Sequence, residues 1–245
     1  PGGSMLTIRG HADEIQEQLP ASIQLAAVNS PSLCVVSGPS DAIHQFQKEL
    51  DDTGTACKLL HTSHAFHSAM MDPVVARFTQ EVSSAERRPP KIPFISTVTG
   101  SWISDQQATD PSYWGRHLRM PVRFSHGICE LLKKDGLVFV EVGPRTTCAT
   151  LMRQHATLKG KAPVTATLSE THLDDAEWTA LLSALGYLWL HGVSIDWRSF
   201  YSDEHRQRVP LPAYPFERRR YWVDPVERAA ATKPPVAATR FDDID

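Results

Sequence analysis

At 245 residues the chain exceeds the ~100 to 200 of one ordinary domain, so one large domain, or two smaller ones with linkers, is expected. Hydrophobic residues at 41%, charged at 22% and aromatic at 8% describe a globular protein, not a disordered or fibrous one. A formal net charge of -3 gives no global field for nucleic acid or an anionic surface, and no apolar run approaches the ~20 residues that span a bilayer.

Chain order begins with a short strand at Met5–Ile8 and a helix over Ala12–Leu19. Two β-rich runs, Ile23–Val28 and Leu33–Ser37, flank Asn29-Ser30-Pro31-Ser32, whose residues favour a turn, so a hairpin is expected. Ser40 is a candidate N-cap for a second helix with Ile43, Phe46 and Leu50 on one face, and a strand at Ala56–Leu60 follows. The order β-α-β-β-α-β predicts a ferredoxin-like unit over residues 1–60.

Met71–Ser83 is spaced as a helix that buries Val74, Val75, Phe78 and Val82, stopped by Pro89-Pro90. A β-rich run at Pro93–Thr99, a helix over Phe124–Lys134 and an apolar strand at Leu137–Val142 come next; the last has the pattern of a strand buried on both faces. Thr147–His155 reads as a helix, and Trp178–His191 as a strongly apolar one that Gly192 caps. Residues 61–165 are thus expected as a second α/β portion, 166–225 as a linker and 226–245, rich in Ala, Pro and Thr and then acidic, as a flexible tail.

Cys34, Cys57, Cys129 and Cys148 are scattered, with no C-x-x-C and no His at metal-ligand spacing, as reduced cytoplasmic thiols would be. Pro1 stands where Met would begin a chain, and Gly2-Gly3-Ser4 runs straight into a strand, so a fragment is expected.

Among the 11 histidines, His67 follows the ferredoxin-like unit and precedes a helix that begins near Ser68, a place from which its ring can face a cleft. A neutral imidazole there can take a proton from a hydroxyl during attack and return it to a leaving group; the plainer alternative is a loop histidine satisfied by backbone. No G-x-S-x-G occurs in the chain. Ser4 lacks the preceding strand and the glycine of a nucleophile elbow, and Ser63 and Ser68 read as loop and cap residues. Pro212, Tyr214, Pro215 and Phe216 favour an extended strip for pressing aromatic rings onto a neighbour, and Arg218, Arg219 and Arg220 lack the context of a nucleic-acid motif.

Thr62-Ser63-His64-Ala65-Phe66-His67-Ser68, Ala26-Ala27-Val28-Asn29, Tyr113 to Phe124, Glu141-Val142-Gly143-Pro144 and Leu211 to Trp222 together resemble the acyltransferase domain of modular polyketide synthases and the linker after it. The resemblance implies an α/β fold: a ferredoxin-like subdomain, the C-terminal part of an α/β-hydrolase-like core and an extended linker. It implies transfer of a malonyl unit from malonyl-CoA to the phosphopantetheine thiol of an acyl carrier protein, with no bound cofactor or metal. His67 matches the general base of a Ser-His dyad, and the backbone carbonyl of His117 is expected to orient it. The family's serine, in a G-H-S-x-G turn, and its carboxylate-binding arginine lie in an earlier part that has no counterpart here.

His64, Phe66 and Asn29 are expected at the substrate, the Phe66 ring leaving little room for a methyl branch; for Asn29 a simple turn role stands as the alternative. The partners implied are acyl-CoA, the carrier protein and, through the linker, a ketosynthase. Nucleic acid and membrane are not implied. A different class of function, a docking or scaffold segment without chemistry, stays open.

Overall fold

The computed structural model describes residues 2–155, 162–169, 176–205, 207–217, 219 and 221–223. Two units divide the chain, Pro1–Ile195 and Asp196–Asp245.

The first unit opens with β1 (Gly3–Arg9), α1 (Ala12–Glu17), β2 (Gln24–Ser30), β3 (Leu33–Pro39), α2 (Ser40–Asp52) and β4 (Cys57–Leu59). The sheet order β2-β3-β1-β4, antiparallel throughout, is the ferredoxin-like arrangement that the strand and helix order predicts. Alternation along the strands assigns two faces. Leu6, Ile8, Cys34 and Val36 meet Ile15, Ile43, Phe46 and Leu50 of the helices, while Met5, Ala26, Ala27 and Val35 form a second cluster with Val122. Ser40 is not a side-chain cap: Pro39 holds the cap position, and the Ser40 hydroxyl instead bonds Ser4 Oγ at 2.8 Å.

The strand β2 is irregular, its register shifting between Leu25 and Ala27 and again between Val28 and Ser30. Such bulges bend an edge strand and leave backbone groups free of the ladder. Here the outer edge takes a new partner. Val28 N–H donates to the Val122 carbonyl and Val122 N–H to the Ala26 carbonyl, both at 2.9 Å, so a segment distant in sequence is stitched to the small sheet.

Next come α3 (Asp72–Ser84), the β5 (Ile95–Ser96) and β6 (Ser101–Trp102) pair, α4 (Asp105–Thr109), α5 (Pro111–Arg119) and α6 (Phe124–Leu131). The face expected to be buried on α3 is not: none of its residues is fully buried, and Val74 and Phe78 are exposed. The neighbour of α3 is α5, which approaches it at Gly115, where an added Cβ would collide with the Thr79 hydroxyl and lie 3.3 Å from Val75 Cγ1.

Parallel β7 (Phe139–Glu141) and β8 (Val164–Ala166) pack with α6 and α7 (Thr147–Arg153) around Ile128, Ala149, Met152 and Val164, and α8 (Ala176–Leu190) lies against β8. The expectation of a strand buried on both faces fails for β7, with Val140 39% exposed and Val142 82%. Its sheet has only two strands among the described residues, so alternate side chains find no covering layer. The Glu141 carboxylate accepts Cys148 N–H at 3.0 Å and Ala149 N–H at 2.8 Å, capping the first turn of α7. Gly192, at φ 81, ends α8 as expected, and Val193 N–H returns to the Leu188 carbonyl.

The linker boundary expected at 165 falls inside β8. In the second unit, α9 (Trp197–Phe200) is capped by Asp196, and Tyr214, Phe216, Tyr221 and Trp222 are exposed without regular structure. Arg218, Arg220 and the tail 226–245 lie outside the described residues. Among those residues no helix is long and apolar enough to cross a membrane.

Candidate active site around His67

The turn bearing His67 lies between β4 and α3, where Ser68 caps a 3-10 turn over Ala69–Met71 that leads into α3. His67 itself adopts φ 60, a left-handed backbone that a non-glycine residue takes only at a cost of about 1–2 kcal/mol. Several bonds hold it there. Ser68 Oγ–H donates to the Ala65 carbonyl at 2.7 Å, Ser37 Oγ–H to the Phe66 carbonyl at 2.8 Å, and Ala69 N–H to Gln24 Oε1 at 2.8 Å. Gly3 lets the turn sit on β1: a Cβ there would lie 2.6 Å from Ala65 N.

The His67 ring is fixed from the other side. Its Nδ1 lies 2.8 Å from the Met120 carbonyl oxygen, which can only accept, so Nδ1 carries the proton and Nε2 holds the lone pair. No group among the described residues hydrogen-bonds Nε2. Burial lowers the His67 pKa below the ordinary 6.5; the bond to Met120 acts in the opposite direction, and the nearby His117 lowers it further. The imidazole is therefore neutral at pH 7, a base with one nitrogen oriented and the other available.

The orienting carbonyl corrects the expectation placed on His117. Residue 117 lies within α5, where carbonyls run along the helix axis, whereas Met120 is the first residue beyond it, at φ -79 and ψ 155. Pro121 forces the residue before it out of the helical region, and this turns the Met120 carbonyl away from the axis. That X-Pro step was the sequence signal for the correct residue. The His117 side chain has a place of its own, with Nε2 3.1 Å from Thr97 Oγ1, and its pKa too is lowered by burial.

Two connections hold Met120 in place. Val122 pairs with β2, and Arg119 Nε–H donates to Asp72 Oδ1 at 2.6 Å, joining the end of α5 to the start of α3. Met120 also borders a cleft of about 630 Å3 whose walls include Gln24, Leu25, Val28, Arg119 and Arg123.

Of the other expected residues, His64 and Phe66 share the His67 turn, with ring centroids 5.9 Å apart and His64 Nδ1 2.8 Å from Ser63 Oγ. Phe66 is 37% exposed. Asn29 occupies the second bulge of β2, beside Val28, whose N–H donates to the Val122 carbonyl; it is half-buried. No serine among the described residues hydrogen-bonds His67. Ser68 is buried as a cap, Ser63 faces His64, and Ser4, on the interior strand β1, pairs with Ser40 at the start of α2.

The model of the family described as "Acyl transferase domain" matches residues 1–193. The chain belongs to that family. A phenolphthiocerol/phthiocerol polyketide synthase protein of Mycobacterium tuberculosis (strain CDC 1551 / Oshkosh) is 34% identical over 238 residues, which is 96% of this chain and 16% of that protein. Polyketide synthase GfsB of Streptomyces halstedii is 35% identical over 230 residues, 91% of this chain and 4% of that one. Among solved structures, the acyltransferase domain from the second module of the salinomycin polyketide synthase matches with a TM-score of 0.75 at 32% identity, over 86% of this chain and 49% of that one. The acyl transferase domain of SpnD, in complex with 2-(pent-4-yn-1-yl)malonyl, matches with a TM-score of 0.73 at 36% identity, over 78% of this chain and 47% of that one.

This acyltransferase-family chain thus spans about half of the solved domains it matches and a small share of the synthases. Its mixed α/β fold and its polyketide synthase kinship are those that the motifs imply.

Proposed function

We propose that the chain supplies the general base of a malonyl-type acyltransferase in a modular polyketide synthase, with its serine nucleophile carried outside these 245 residues. The observation that carries this reading is the bond from His67 Nδ1–H to the Met120 carbonyl, which leaves Nε2 as the basic nitrogen. Phe66 faces the α-carbon of the extender and disfavours a methyl branch, while His64 and Asn29 contribute to the substrate wall. No cofactor is bound; the setting is the cytoplasm.

The reaction is ping-pong. His67 Nε2 takes the serine proton as the serine oxygen bonds the malonyl thioester carbon; the carbon–sulfur bond then breaks, and the imidazolium returns the proton to CoA. In the second half the carrier protein's phosphopantetheine thiol gives its proton to the same nitrogen, and its sulfur attacks the ester. The carbon–oxygen bond breaks, and the proton goes back to the serine. The SpnD neighbour, held with a malonyl derivative, supports the substrate class.

In the complete acyltransferase domain, transfer of radiolabelled malonyl from CoA to carrier protein should fall by about 10²–10⁴ in kcat for His67→Ala. Unchanged turnover would end the assignment. The 245-residue chain alone should transfer nothing.

The exposed rings of Tyr214, Phe216, Tyr221 and Trp222 favour a second role for the segment after 196, docking against a neighbouring domain such as a ketosynthase. This is compatible with chemistry at His67; retained function of a synthase whose His67 is Ala would make docking the whole role.

A further inference from the structure

We propose that Gln24 and Ser37 are positioning residues for His67: one rung of the small sheet grips the histidine turn on both flanks and holds the ring against the Met120 carbonyl. The inference rests on the reading of His67 as the general base.

Gln24 of β2 and Ser37 of β3 are direct antiparallel partners, so their side chains leave the same face of the sheet. That face is the one that also carries Met5 and Val35 and meets Val122, opposite α1 and α2. From it the Ser37 hydroxyl donates to the Phe66 carbonyl, one residue before His67, and Gln24 Oε1 accepts the Ala69 N–H, two residues after it, each at 2.8 Å. Between these anchors lies the left-handed residue at φ 60. An anchor on one flank alone would let the turn pivot toward an ordinary backbone and swing the imidazole off Met120. With two, the pivot is blocked.

The same sheet also sets the other half of the contact. Two residues on from Gln24, the Ala26 carbonyl accepts Val122 N–H, and Met120 lies two residues before Val122. Donor and acceptor of the orienting bond are therefore both referred to β2, which makes the small subdomain the frame of the base.

Two readouts test this. In the 15N-histidine-labelled 245-residue chain, two-bond proton–nitrogen correlations report which ring nitrogen of His67 is protonated. The native chain should show the Nδ1–H form at pH 7.5. Gln24→Leu should show a mixture of both tautomers, and Gln24→Glu, which keeps an acceptor oxygen, should retain Nδ1–H. In the complete acyltransferase domain, Gln24→Leu should lower kcat roughly 10- to 100-fold with KM for the acyl-CoA within about two-fold, because the ring is misplaced and not the substrate. Gln24→Glu should recover most of that loss, and Ser37→Ala should behave like Gln24→Leu.

A native tautomer and native kcat in Gln24→Leu would overturn the proposal. So would an equal loss in Gln24→Glu and Gln24→Leu, which would make shape and not the acceptor the requirement. Should Ser37→Ala not fold, the Gln24 pair decides alone. Should His67→Ala prove fully active, the general-base reading falls, while the tautomer spectra still decide the clamp.

Discussion

Gly115 decides how closely α5 approaches α3, and with it the distance between His67, just before α3, and Met120, just after α5. Alanine in place of a helical glycine ordinarily stabilises by about 0.8–1.0 kcal/mol. At Gly115 the added Cβ would collide with Thr79 Oγ1 and press on Val75 Cγ1 at 3.3 Å. Overpacking of this kind costs about 1–3 kcal/mol, so Gly115→Ala should be destabilising by roughly 1 kcal/mol net. For a unit of 195 residues that is a fall in Tm of about 2–4 °C. The sharper test is a double-mutant cycle with Thr79→Ala, which removes the colliding hydroxyl. The double variant should regain the helix-propensity benefit, giving a coupling energy of about 1–3 kcal/mol in thermal or urea unfolding. In the complete domain, Gly115→Ala should lower acyl transfer up to about 10²-fold, and Thr79→Ala should restore it in part. Strictly additive stabilities would show that the helices do not meet as tightly at Gly115 as argued, and that this contact does not set the His67–Met120 distance.

The pH dependence has a defined sign. His67 and His117 have pKa values lowered below 6.5 in the folded chain, so above 6.5 both states are neutral and stability is full. As pH falls below 6.5 the unfolded chain binds protons that the folded chain refuses, and stability declines until the lower folded values are passed. Urea unfolding at pH 7.5 and pH 5.5 should show this decline, reduced in His67→Gln, and the acid limb of acyl transfer should lie below pH 6.5. Phe66→Ser should narrow the preference for malonyl-CoA over methylmalonyl-CoA by about 10-fold or more in competition assays, since one methyl in a pocket is worth roughly 1–3 kcal/mol; an unchanged ratio would remove Phe66 from the specificity wall. Glu141→Ala leaves the Cys148 and Ala149 N–H groups without their acceptor and should cost about 1–2 kcal/mol, read as a lowered Tm, with little effect on the His67 tautomer.

Much of the ferredoxin-like unit was legible because its elements are local and its pattern regular. Leu6 and Ile8 alternate with Met5 and Thr7, and Ile43, Phe46 and Leu50 repeat at helical spacing, so periodicity reports the buried faces directly. The same reasoning failed for α3 and β7. Val74, Phe78, Val140 and Val142 are apolar and correctly spaced, but apolarity states only that a surface needs covering, not that a covering layer is present in this chain. The sequence also led to His67 and missed its orienting partner by three residues, because the likeness to the family placed that carbonyl at His117, while the direction of one carbonyl just past a helix end is set by tertiary structure.

Contiguous residues and short periods were enough to establish the family, the order of the small sheet's elements, the candidate base and the lack of a G-x-S-x-G serine within these residues. The folded chain alone revealed that Met120 holds the imidazole, that Gln24 and Ser37 grip its turn and that Val122 joins the two, because those contacts link residues 24, 37, 67, 120 and 122 through a bulged edge strand whose pairing no local pattern encodes.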